Sequence, residues 1–142
     1  MNDMIAQVER QLLQVKGLEL SDIEHSLDIL LGREIDYGEV FVQSTRGESF
    51  ALEDGIVKDG SFGVEAGVGL RALAGERTGF AYSEDIRLDG LKQAAKAARS
   101  IAGSGSPRRA PGFQAVDFAP LYARTDPISS LTEEDKVKLL RQ

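Results

Sequence analysis

The stretch VEAGVGLRALAGERTGFAY, residues 64–82, carries the clearest strand pattern in this 142-residue chain. Apolar residues occupy every second position of its first half: Val64, Ala66, Val68, Leu70, Ala72 and Ala74. A period of two is typical of a half-buried strand. The pattern resumes in RTGFAY, with Phe80 and Tyr82 on one face, after a turn signal at Gly75-Glu76. We therefore predict two antiparallel strands joined at this turn.

Further strand signals precede this stretch. EVFVQS, residues 39–44, and ESFALED, residues 48–54, both alternate, and the segment STRGE between them is a candidate turn at Gly47. Asp54-Gly55 is the favoured two-residue turn, and KDGS, residues 58–61, supplies another turn signal. The chain is therefore expected to contain a four- to five-stranded antiparallel meander.

Helical periodicity surrounds the predicted sheet. One amphipathic helix is predicted from Asp3 to Lys16, and a second begins with a capping box of Ser21 and Glu24 and ends near Gly32. Beyond the sheet, an alanine-rich helix of about four turns is predicted over residues 88–102. The predicted fold class is α+β, in which helices that precede and follow the meander along the chain pack on it.

The end of the chain has a different character. Residues 103–130 combine glycine, serine and four prolines, which predicts an extended linker. Thr132 opens a last helix whose first turn is acidic, as the helix dipole favours. The predicted organisation is an α/β domain over residues 1–102, a linker over 103–130, and over 131–142 the start of a helix that continues into the rest of a longer protein.

Composition limits the classes of function. The net charge is −6 and the only adjacent basic pair is Arg108-Arg109, which disfavours nucleic-acid binding. No apolar run approaches the roughly 18 residues that cross a bilayer, and the start of the chain lacks a signal-peptide pattern. The chain has no cysteine, so it contains no disulfide and no thiolate metal site. A cytoplasmic protein without membrane contact is expected.

No catalytic or metal-binding residue is identified from the residues themselves. The segment GVGLRA, Gly67–Ala72, matches G-x-G-x-x-A, but the strand alternation continues through its glycines, where a dinucleotide site needs a strand-to-helix turn. The only histidine, His25, is predicted on the polar side of a helix. The pairs Glu53-Asp54 and Glu84-Asp85 flank turns, where acidic residues are common for backbone reasons.

The glycines of the central strand suggest a surface. Gly67 and Gly69 point to the same face, which would leave a bare groove where another backbone could approach. Arg71 continues that face, and together with Phe80 and Tyr82 these residues are the candidates for contact with a substrate or partner. A bulge or a tight twist is the alternative reason for the glycines.

The order DYGEVFVQS, SFALEDGIVKDGSFGVEAGVGLRALAGERTGFAYSEDI and PLYARTDPISSLTEEDKVKLLR resembles the amino-terminal domain of the TldD/PmbA family, on the TldD side of it. The resemblance implies part of a cytoplasmic zinc metallopeptidase that degrades or processes unfolded peptides, such as an antitoxin or the precursor of a peptide antibiotic that targets DNA gyrase. It also implies a dimer with a PmbA (TldE)-like subunit or with itself.

In that family an HExxxH motif and a downstream cysteine hold the zinc, and neither is present here. The resemblance therefore implies that the helix over 131–142 leads into a catalytic domain outside this chain, which would hold the zinc. It implies no cofactor within this stretch and a chain that is inactive alone, with a role in the substrate channel or in assembly. The alternative is a stand-alone, non-catalytic module for protein interaction.

Overall fold

The computed structural model describes residues 2–103, 109–110, 112, 116 and 125–142, and the side chains from residue 6 onward. Within these ranges the elements, in chain order, are α1 (Asn2–Leu12), a 3-10 turn (Gln14–Lys16), α2 (Leu20–Leu30), β1 (Tyr37–Glu53), β2 (Ile56–Ala74), β3 (Arg77–Ser83), α3 (Leu88–Ala102) and α4 (Glu133–Leu140). None of these helices is long and apolar enough to cross a membrane.

The described strands form one antiparallel sheet in the order β1-β2-β3. The β2–β3 register runs from Val68 opposite Ser83 to Ala74 opposite Arg77. The two predicted turns that join the strands are confirmed. Asp54 and Gly55 have φ values of 52° and 75°, and Gly75 has 58°, a region that glycine tolerates best.

The predicted number of strands is wrong, because the described residues form three strands where four to five were expected. EVFVQS and ESFALED are both parts of β1, and the segment KDGS lies inside β2. Gly47 and Gly60, which carried the turn signals, do not belong to the described glycines with positive φ. Glycine can adopt a turn conformation but does not require one, so Gly47 and Gly60 remain in extended strands.

The helices agree with the predictions in type and differ at their ends. The first predicted helix, to Lys16, is α1 followed by the 3-10 turn and is closed by Gly17 at φ 72°. The second begins at Leu20 and not after Ser21: the Glu19 N–H donates to Asp22 Oδ2 at 2.9 Å, so the interaction at the cap lies two residues before the predicted box. The third helix, over residues 88–102, is confirmed.

The carboxy-terminal helix begins where predicted. Thr132 is the cap of α4, and its Oγ1 accepts the Asp135 N–H at 3.2 Å. Most of the predicted linker, residues 103–130, lies outside the described residues, so the linker and the domain boundaries stay predictions.

The chain divides into two compact units. One contains Thr45–Glu65 and the described part of residues 118–142, and we call it the hairpin unit; the other described residues form the core unit. In the core unit α3 packs on β3 and against α2. Its fully enclosed apolar side chains include Leu30 on α2, Leu91 on α3, and Val68 and Leu70 on β2. None of the described residues of the hairpin unit is buried.

Candidate functional site

The five candidate residues lie on one face of the sheet. Val68, Leu70 and Ala72 of β2 are buried, so the alternate residues point away from the helices. Gly69 pairs with Tyr82 and Arg71 pairs with Phe80, and directly opposed residues share a face. The outer face of the core unit thus brings together all the residues proposed from the sequence: Gly67, Gly69, Arg71, Phe80 and Tyr82.

The glycines of this face do not leave a bare groove. A Cβ added to Gly67 would collide with the phenol of Tyr82, and one added to Gly69 would lie 3.1 Å from Phe80 Cε2. The two rings therefore lean across β2 and fill the space that the glycines leave. The register is unbroken from Val68 to Ala74, so Gly69 lies in no bulge. The close approach of an aromatic ring from the neighbouring strand is the physical reason for glycine here.

Strand β1 adds residues that the sequence reasoning missed. Glu39 Oε1 lies 2.7 Å from Arg71 Nε, and Tyr37 Oη donates to Glu39 Oε2 at 2.9 Å. Alternation along β1 places Phe41 on the same face as Glu39. We call this surface the aromatic face. It consists of four side chains around the Glu39–Arg71 ion pair: Tyr37, Phe41, Phe80 and Tyr82, which are 48%, 59%, 56% and 60% exposed.

The charges on this surface neutralise each other. The hydrogen bond from Arg71, followed by that from Tyr37, holds the pKa of Glu39 below its ordinary value. The hydrogen bond that Tyr37 donates to Glu39 raises the pKa of Tyr37. At neutral pH the Glu39 carboxylate therefore faces the Arg71 guanidinium while the Tyr37 phenol keeps its proton, so this cluster has no net charge. Such a surface suits apolar and backbone contacts better than a charged ligand.

The described residues do not assemble a catalytic or metal-binding constellation. No group of three His, Cys, Asp or Glu side chains within them could hold a metal ion. His25 is exposed on α2, and Gly67–Ala72 lies inside β2, away from any strand-to-helix turn. What the aromatic face offers is contact with apolar groups and hydrogen bonding.

Comparison with known proteins gives a consistent picture. Residues 38–102 match the family model described as PmbA/TldA metallopeptidase domain 1. The chain is 41% identical over 139 residues to the metalloprotease TldD homolog of Haemophilus influenzae, covering 96% of this chain and 29% of the relative. It is 35% identical over 133 residues to the metalloprotease TldD homolog of Buchnera aphidicola from Acyrthosiphon pisum, covering 94% of this chain and 28% of the relative.

The matched segment covers the sheet and helix α3. It begins at Gly38, the second residue of β1, and ends at Ala102, the last residue of α3, so it contains all five candidate residues. The chain spans less than a third of the length of these relatives.

Proposed function

We propose, from the premise that this chain belongs to the PmbA/TldD metallopeptidase family, that it forms the non-catalytic amino-terminal domain of a TldD-like peptidase. The relatives that it matches are named metalloproteases, and it covers 29% of the first of them. The proposed enzyme degrades or trims unfolded peptides, such as an antitoxin or a peptide-antibiotic precursor. The proposal includes a cytoplasmic location and a dimer with a PmbA-like subunit or with a second copy.

The metal that the relatives' name implies does not fit the residues present here. Zinc sites in proteins use combinations of histidine, cysteine and carboxylate ligands around one ion. The chain has one histidine and no cysteine, and His25 lies on an exposed part of α2. In this proposal the zinc therefore belongs to a part of the enzyme outside these 142 residues, and no chemical step involves this chain's own side chains.

The aromatic face is the proposed contribution of this domain to the peptidase, and its four exposed rings are the observation that carries the proposal. Aromatic side chains offer a large apolar area at a low entropic cost, since each has only two side-chain torsions. Their contacts do not require a particular peptide sequence, which suits an enzyme that handles unfolded substrates. The face lies on the sheet surface opposite the helices, where none of the described residues of the core unit covers Phe80 or Tyr82 from above.

The test is binding of an unstructured, fluorescein-labelled peptide with several apolar residues to the purified chain, measured by fluorescence anisotropy. We expect the double variant Phe80→Ala/Tyr82→Ala to weaken binding about tenfold, corresponding to ~1.4 kcal/mol. The matched control is Phe62→Ala, which removes a ring that is 63% exposed in the hairpin unit. Equal weakening by the control, or no change in the double variant, would contradict the role of the aromatic face.

A second measurement tests the assignment to a peptidase separately. The isolated chain should not hydrolyse the same peptide when Zn²⁺ is supplied, and chelator-sensitive cleavage by this chain alone would refute its non-catalytic role. The downstream nucleotide sequence decides between the two functions considered: an in-frame HExxxH motif supports the peptidase, and a stop codon directly after Gln142 supports the stand-alone interaction module.

A further inference from the structure

The hairpin unit holds helix α4 mainly through charged groups. Lys136 Nζ lies 2.5 Å from Glu48 Oε2 on β1 and 2.5 Å from the Ile128 carbonyl oxygen. The Lys136 and Glu48 side chains are only 18% and 15% exposed, so this is the most enclosed ion pair among the described residues. Helix and strand are thus joined by one shielded charge pair.

Further polar contacts flank this pair at both ends of the helix. Before α4, Arg46 Nη2 lies 2.6 Å from Asp126 Oδ2, and Asp126 Oδ1 accepts the Ile128 N–H at 3.1 Å. After α4, Arg141 Nε donates to the Gly55 carbonyl in the turn between β1 and β2, at 3.1 Å. The contacts of Arg46 and Arg141 tie the carboxy-terminal segment to the β1–β2 hairpin, and the Ile128 N–H orients the Asp126 carboxylate within that segment.

The apolar contacts of α4 with the hairpin are open to solvent. Open grooves of about 400 and 520 Å³ follow α4, and Phe50 lines both of them. Leu139 and Leu140, at the end of α4, are 55% and 53% exposed. An eight-residue helix is far below the length that persists alone, so α4 depends on its contacts with the strands.

We propose that α4 is a charge-held latch on the β1–β2 hairpin: when the Lys136–Glu48 pair is lost, α4 leaves the strands and uncovers Phe50 and Val57, while the core unit stays folded. A shielded ion pair stabilises only while both charges are present, because removal of one leaves the other poorly solvated. The surrounding contacts are too exposed to compensate for that loss. The latch opens as a local transition because its residues contribute nothing to the buried core.

Hydrogen–deuterium exchange of the 142-residue chain, read by mass spectrometry for residues 133–140 and for α3, tests the latch. Lys136→Met keeps an unbranched side chain, one atom shorter, and removes the charge. We expect amide exchange in α4 to accelerate about tenfold or more, with exchange in α3 unchanged. In the double variant Glu48→Met/Lys136→Met, which replaces the pair by two apolar side chains, protection of α4 should return to within about threefold of the unmodified chain.

The matched control is Lys138→Met in the same helix. Lys138 pairs with Asp135 at 3.3 Å, and these side chains are 68% and 47% exposed, so the change in exchange should stay below about twofold. The latch is refuted if Lys136→Met leaves α4 as protected as before, if Lys138→Met has the same effect, or if α3 loses protection together with α4.

Discussion

The two units use the same two strands in opposite ways. In the core unit the alternating apolar residues of β2, such as Val68 and Leu70, are fully buried. In the hairpin unit Phe62 and Val64 continue the same alternation along β2, but they are 63% and 56% exposed. Alternation therefore determines which residues share a face of a strand, whereas burial depends on whether a helix covers that face.

The difference also concerns what stabilises each unit. The core unit removes a set of leucine, valine, isoleucine and alanine side chains from water around α2, α3 and the sheet. The hairpin unit has no buried residue in its described part, and it contains the most enclosed ion pair among the described residues. Global unfolding should thus report on the core unit, and the hairpin unit should open locally at a lower free energy.

The largest expected effect comes from glycine substitution where the core unit is tightest. At Gly79 of β3 an added Cβ would collide with the Ala98 carbonyl oxygen of α3 and would lie 2.8 Å from the Ala102 nitrogen. Both are backbone atoms, so α3 itself would have to move. We expect Gly79→Ala to lower the free energy of unfolding by about 4 kcal/mol or more, measured by urea denaturation.

The matched control for this substitution is Gly63→Ala in the hairpin unit. Gly63 lies within β2, its φ is not positive, and an added Cβ would meet no atom within 4 Å. Its free energy of unfolding should stay unchanged or rise by up to about 1 kcal/mol, because alanine restricts the unfolded chain. Similar losses at both glycines would show that the two units do not differ in packing.

A somewhat smaller effect is expected from truncation of the core. Leu70 is completely buried between the sheet and the helices. Leu70→Ala should lower the free energy of unfolding by about 3 kcal/mol, from lost burial together with the cavity that remains. The comparison is Ile56→Ala in the hairpin unit, where the side chain is 58% exposed and the expected change is within about 0.5 kcal/mol. A loss above 2 kcal/mol at Ile56, on the same urea scale, would reveal a core in the hairpin unit.

Periodicity in the sequence was sufficient for the elements that the core unit packs together. Alternation over residues 64–74 and 77–82 and the helical stripe over 88–102 predicted the second half of β2, β3 and α3, because these elements bury one face each. The number of strands failed where glycine, aspartate and serine are solvent-exposed within a strand, as in KDGS. Such side chains are compatible with both a turn and an exposed strand. The pairing of β1 with β2 along their length determines that this segment is a strand.

The candidate face was predicted in part. The turn at Gly75-Glu76 fixes the β2–β3 register, so the pairing of Gly69 with Tyr82 could have been read from the sequence, and with it the rings over the glycines. The contribution of β1 to this face could not have been read from the sequence. Which residue of β1 lies beside Arg71 depends on the ladder of a hairpin with arms of 17 and 19 residues, where a shift of one residue exchanges the faces.

The smallest expected effect concerns the titration of one carboxylate in each unit. The pKa of Glu39 is lowered chiefly by its hydrogen bond from Arg71, whereas the pKa of Asp126 is held well below its ordinary value first by the Ser129 hydroxyl and only then by Arg46. Removal of the arginine should therefore raise the pKa of Glu39 more completely than that of Asp126. In ¹³C NMR titrations of the carboxyl groups, Arg71→Gln should return Glu39 most of the way to its ordinary pKa of about 4.3, and Arg46→Gln should leave Asp126 clearly below its own.

The direction of the effect on stability follows from these lowered pKa values. A carboxyl group with a lower pKa in the folded state stabilises the fold above its unfolded pKa, and this contribution is lost as the pH falls through the folded value. For Glu39 the loss should thus begin below about pH 4.3 and should be small, since the pair with Arg71 is well exposed to solvent. If Glu39 titrated at its ordinary pKa in the unmodified chain, the ion pair at the centre of the aromatic face would not persist in solution.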